Sequence, residues 1–152
     1  MTERLPGELP GAHRVAGRAR RVGLTIVFLW FFIGGIAHFV ATDTEMRIVP
    51  PYIPWPRITV LISGVFELLG AAGLLYPPTR WAAGVGLFAL TIAVTPVHIY
   101  MLQRYDLFAV PYWLLVLRLP LQAALLVLIA WSTSVPRDGS RSRRAFANRE
   151  RP

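Results

Sequence analysis

Residues 58–75 read ITVLISGVFELLGAAGLL, eighteen positions in which Glu67 is the one charged side chain. A helix over this run covers about 27 Å at 1.5 Å per residue, close to the ~30 Å hydrocarbon core of a bilayer. Helical spacing puts Ser63, Glu67, Gly70 and Ala71 on one stripe. Small residues on that stripe let a neighbouring helix come close, so Glu67 is expected to face other helices rather than lipid. Tyr76, Pro77, Pro78, Thr79 and Arg80 then predict a tight turn, because paired prolines stop a helix and Arg80 prefers water.

Three further apolar runs surround this one. Residues 22–41 hold only Thr25 and His38 as strongly polar groups, 82–102 contain Pro96 and His98, and 110–131 contain Arg118, Pro120 and Gln122. Prolines inside spans are tolerated where neighbouring helices or waters satisfy the freed carbonyls. A basic region precedes the first run, as in a secretory signal. That run is longer than a cleaved signal's usual apolar core and no A-x-A site follows it, so it reads as an uncleaved span. The expected fold is an all-α membrane protein. It is a four-transmembrane-helix bundle with spans at about 22–41, 58–75, 82–102 and 110–131, set between disordered basic tails at 1–21 and 132–152.

Composition agrees. Of 152 residues 55% are apolar, and the two tails carry 15 of the 24 charges, leaving nine in the 110 positions between Val22 and Trp131. A soluble domain spreads about a quarter charged residues over its surface. This middle has no such surface, which excludes a soluble globular enzyme. The net charge of +8 could signal nucleic acid, but the basic residues sit in short tails flanking apolar runs, the pattern of a membrane protein, and no nucleic-acid partner is expected. An even number of spans puts both tails on one side. With Arg80, that side collects twelve of the sixteen arginines, against Arg47, Arg57, Arg104 and membrane-buried Arg118, so both termini are expected in the cytoplasm. Absent cysteine excludes disulfides and thiolate chemistry, and absent lysine excludes Schiff bases.

The outer loop, residues 42–57, alternates proline with bulky apolar residues through Val49, Pro50, Pro51, Tyr52, Ile53, Pro54, Trp55 and Pro56. It is expected to be extended and stiff. Tyr52 and Trp55 suit the headgroup level, as an interfacial anchor. The alternative is a lid, formed by Pro51, Tyr52, Pro54 and Trp55, over a cavity opening to the outer face.

Polar residues at membrane depth carry the functional information, since a charge at mid-bilayer costs about 2.5–3.5 kcal/mol. Counting along each span places His38 about 4–5 Å, Glu67 about 14 Å, His98 about 6 Å and Arg118 about 8–12 Å from the outer surface, with Gln122 one turn deeper. Gly34 and Gly35 precede His38 by one turn, Gly84, Thr91, Thr95 and His98 share a stripe, and Arg118 and Gln122 share a face. One polar layer from four helices is therefore expected. Glu67 and Arg118 are its natural ion pair, held by two parallel hydrogen bonds. Three readings stay open: a structural network that fixes helix register, a small-molecule or quinone-like pocket lined by His38, Glu67, His98, Arg118 and Gln122, and a proton or ion pathway.

Catalytic signatures are absent. No H-x-x-x-H or E-x-x-H spacing supports a metal, so none is expected; Ser63 beside Gly64 lacks a nucleophile-elbow context; no glycine-rich phosphate loop precedes a helix.

The ordered blocks Gly35-Ile36-Ala37-His38-Phe39, Val49-Pro50-Pro51-Tyr52-Ile53-Pro54 and Ser63 to Leu75 resemble the DoxX family of small bacterial membrane proteins. Thr79-Arg80, Pro96-Val97-His98-Ile99-Tyr100-Met101 and Arg118-Leu119-Pro120-Leu121-Gln122 extend the resemblance over roughly residues 22–131, with Ser63–Leu75 its most specific part. His98 departs from it, since relatives often carry Asn there; the swap keeps a hydrogen-bonding group and adds a titratable one. The resemblance implies a multi-pass protein of the bacterial inner (plasma) membrane. The family is named for similarity to the quinone-reducing membrane subunit of a thiosulfate-oxidising enzyme, and some members are linked to membrane oxidoreductase assemblies. The chain is thus expected to serve a quinone-linked redox system as a subunit or accessory factor, with a redox partner or a second copy, rather than as an enzyme on its own. Two rivals stand beside this: a small four-span transporter or proton-coupled carrier, and a non-catalytic membrane chaperone or assembly factor.

Overall fold

A computed structural model describes residues 12–134, with side chains from residue 16 onward, and over that range the chain is helical without a strand. The expected disorder at 1–11 and 135–152 lies outside the described residues. Helix α1 spans Ala12–Val40, α2 Thr42–Met46, α3 Pro56–Leu75, α4 Arg80–Ala93, α5 Thr95–Gln103 and α6 Tyr112–Thr133. Four stretches are long and apolar enough to cross a membrane: Ala16–Val40, Pro56–Leu75, Pro77–Gln103 and Tyr112–Thr133. Outward-facing Ile33, Leu69 and Val127, each more than 60% exposed, belong to a continuous apolar girdle that suits lipid rather than water.

Sequential packing of α1 on α3, α3 on α4, α4 on α6 and α6 on α1 closes a ring. The second and fourth spans therefore lie across the ring from one another. Near the tail-side ends, Val27 and Phe31 of α1, Ala71 and Leu74 of α3, Leu87 of α4, and Leu125 and Ile129 of α6 form a dry apolar core. Here α4 and α6 approach so closely that a Cβ at Gly84 would overlap the Thr133 side chain.

Three local features differ from expectation. First, α1 begins at Ala12, so residues 12–21 are helix rather than tail. Arginine is a good helix former with a long apolar stem, and Arg20 donates from Nε to the Ser132 carbonyl (2.8 Å), an open acceptor at the end of α6. Secondly, the outer loop is not extended. Thr42 donates to the His38 carbonyl (2.6 Å) as the short α2 begins, and Ile53 N–H closes a turn on the Pro50 carbonyl (3.0 Å). Pro51 sits at the turn position where its fixed φ is favourable. Trp55 then adopts left-handed backbone (φ 50°) to start α3 at Pro56. Thirdly, the third span is broken at Val94, because Pro96 has no N–H to continue the ladder. The expected turn at 76–80 is present as a 3₁₀ turn, Pro77–Thr79. There Thr79 and Arg80 donate to the Gly73 and Leu74 carbonyls at the end of α3.

Candidate functional site

The expected polar layer forms, but as two clusters on opposite sides of the ring. Glu67 meets His38, not Arg118. Nε2 of His38 lies 3.4 Å from Oε1 of Glu67, with the side chains 19% and 14% exposed. Their contact depends on glycine: a Cβ at Gly64 would lie 2.8 Å from the His38 Cβ and 3.1 Å from the Gly35 carbonyl, and one at Gly34 would lie 2.7 Å from Oε2 of Glu67. The stripe of small residues thus brings α1 and α3 together where the carboxylate lies. Depth counting had set His38 well above Glu67. That count took the end of α1 as the outer surface, whereas α2 continues beyond it and packs along α3.

The His38–Glu67 pair is under-satisfied. Nδ1 of His38 is buried with no partner among the described residues, a rare state for a buried polar atom. A shallow cleft of about 330 Å³ opens at the outer end of α1, lined by Phe39–Thr44 and Arg57, and neither His38 nor Glu67 lines it. At its rim Asp43 and Arg57 stand 3.8 Å apart, both well exposed. Pro51, Tyr52, Pro54 and Trp55 do not line this cleft. Tyr52 and Trp55 stand 68% and 72% exposed, which suits rings at headgroup level.

Across the ring, Gln122 of α6 is buried and fully used. Its Oε1 accepts from Nδ1 of His98 (2.5 Å), and its Nε2 donates to the Thr91 carbonyl (2.7 Å) and to Oγ1 of Thr95 (2.6 Å). These acceptors flank the break at Val94. A side chain of α6 thus reaches a backbone carbonyl at the break between α4 and α5, as membrane helices require. This cluster clamps α4, α5 and α6 together.

Arg118 belongs to neither cluster. Its Nη1 donates to Sδ of Met101 (3.2 Å), and among the described residues it makes no ion pair. The expected Glu67–Arg118 pair fails because α3 and α6 are diagonal in the ring. Among the described residues, no group of three or more His, Cys, Asp or Glu could hold a metal. Sequence reasoning missed Thr91 and Thr95 as partners of Gln122, although their stripe with His98 was visible, and missed Met101.

A family model described as "Domain of unknown function (DUF8561)" matches residues 24–136, which include every spanning segment's polar residue. No curated protein and no solved structure matches the chain.

Proposed function

The chain belongs to the DUF8561 family, and we propose that it is a DoxX-like accessory subunit of a quinone-linked membrane redox system, with His38 and Glu67 as its small-molecule site. One observation carries this reading: a carboxylate and an imidazole meet between the first and second spans, with buried Nδ1 of His38 unpartnered among the described residues. Groups of this kind are rare in membranes and are kept for ligand or proton handling. A quinone or quinol headgroup has the matching chemistry. Its hydroxyls donate hydrogen bonds, and with Nε2 of His38 turned to Glu67 the open Nδ1 of a neutral imidazole accepts one from a quinol, while the doubly protonated ring would donate to a quinone carbonyl. His98, Gln122 and Arg118 then support the outer half of the bundle without all lining one pocket. The arginine-rich ends favour a bacterial plasma-membrane orientation with both termini cytoplasmic. A redox enzyme partner supplies the electron chemistry.

The test is mass spectrometry of small molecules retained after mild-detergent purification, beside quinone reduction in membranes lacking the chain. Retained quinone that disappears in Glu67→Gln, with slower quinone reduction on deletion, is the expected result. No retained quinone and unaltered reduction count decisively against it.

A second reading gains from the same geometry. Among the described residues Glu67 meets a histidine and no arginine, which removes the strongest objection to a coupled carrier's carboxylate. Proton release when cationic compounds are added to purified protein, abolished in Glu67→Gln, is the signature of that reading. Release that persists in the variant excludes it.

A further inference from the structure

Arg118 lies at depth in the fourth span and makes no ion pair among the described residues. It lies six residues into α6, about 9 Å from the helix start. Its only hydrogen bond among the described residues goes to a thioether sulfur, a weak acceptor, leaving most of its five donors unspent. The acids on the outer side are occupied or elsewhere: Glu67 faces His38 on the far side of the ring, Glu45 stands on α2, which packs on α1 and α3, Asp43 pairs with Arg57, and Asp106 pairs with Arg104. Gln122, one turn away, has both its donors and its acceptor committed. Charged side chains at membrane depth pair with one another or with backbone carbonyls, and long ones near a helix end reach to the interface; among the described residues Arg118 has neither of the first two.

Its neighbours point to the interface. Tyr112 and Trp113 open α6 with their rings 54% and 64% exposed, as amphipathic rings stand at headgroup level. From one and a half turns below that level, an arginine's long stem reaches back to the phosphate layer, and its planar fork grips two oxygens of one phosphate at once. A protein carboxylate would instead have to enter the girdle from a partner's own span. We infer that Arg118 is the core of a phosphate-binding site on the α5–α6 face, filled by the phosphate of a lipid headgroup. The bound lipid would seat the broken third span, because the same guanidinium donates to Met101 of α5. This inference goes beyond the quinone reading and stands whether or not a quinone occupies the His38–Glu67 site.

The experiment uses the full chain, delipidated in a neutral detergent, titrated separately with phosphatidylglycerol, with diacylglycerol of the same acyl chains, and with inorganic phosphate. The expected result is about tenfold tighter binding of phosphatidylglycerol than of diacylglycerol, the scale of one charge-assisted contact, falling to about twofold in Arg118→Gln. Inorganic phosphate binding that is lost in Arg118→Gln supports the phosphate site but assigns it to a free ion. Equal binding of the two lipids, or a preference unchanged in Arg118→Gln with no Arg118-dependent phosphate binding, overturns it and leaves a partner's carboxylate as the counter-charge. Should Arg118→Gln fail to fold, a phosphatidylglycerol with a photoreactive headgroup decides on the unaltered chain. Crosslinks around Arg118 support the site; crosslinks confined to the arginine-rich ends overturn it. No quinone enters any arm, so its failure is distinguishable from failure of the redox reading.

Discussion

The bundle's outer half holds two polar clusters of similar make-up and opposite character. Around Gln122, every hydrogen-bonding atom of the amide has a partner, and those partners flank a break in a neighbouring helix. Around Glu67, the contact is single and 3.4 Å long, and a buried imidazole nitrogen is left open among the described residues. Saturation is what stability requires of a polar group in lipid; open valency costs stability and persists where something else uses it. The comparison teaches that polar residues at membrane depth need not form one site. One cluster holds the fold, and the other is free to bind.

Substitutions can break this contrast, the strongest first. Gln122→Leu strands the His98 nitrogen and takes one partner each from the Thr91 carbonyl and the Thr95 hydroxyl, which keep each other. It should cost about 2–3 kcal/mol, less than a simple sum because partners in lipid partly re-pair. Unfolding by SDS titration measures it. Gly64→Ala pushes a methyl against the His38 Cβ and the Gly35 carbonyl, so α1 must move off α3. A loss of about 1–3 kcal/mol is expected. That variant should also lose any molecule retained at the pair.

Gly34→Ala sharpens the contrast, since its methyl meets only the carboxylate end of Glu67, which can swing away. Stability should fall by less than about 1 kcal/mol, as overpacking against a movable group does. Ligand retention, followed by mass spectrometry, should drop more than stability does. Gly86→Ala is the control, because a Cβ there meets nothing within 4 Å. Its thermal midpoint should match that of the parent or rise slightly, in line with a helix-propensity gain of up to about 1 kcal/mol.

Much of this was legible in the sequence. The run at 58–75 and its three companions fixed four spans, because apolar length is what a bilayer selects. The stripes through Glu67, through His98 and through Gln122 correctly faced inward, because periodicity reports a helix's own face. Periodicity does not report which face lies opposite. Charge alone paired Glu67 with Arg118, but the ring order makes their helices diagonal and gives Glu67 to the adjacent His38. The start of α1 was hidden because Arg14, Arg18, Arg20 and Arg21 look like a solvated tail, although helix propensity and the acceptor at Ser132 favour helix. The break at Val94 was half legible: Pro96 announced lost backbone bonds, but only the packed neighbour shows Gln122 reaching a carbonyl at the break.

The account stands or falls on the unfolding free energy of ligand-free Glu67→Gln, measured by SDS titration beside Gln122→Leu. Glutamine can still accept from Nε2 of His38 and removes a desolvated charge, so the predicted change is within about 1 kcal/mol of the parent, with small-molecule retention abolished. A loss as large as that of Gln122→Leu, with retention unchanged, contradicts it. Glu67 would then be holding the bundle together as Gln122 does.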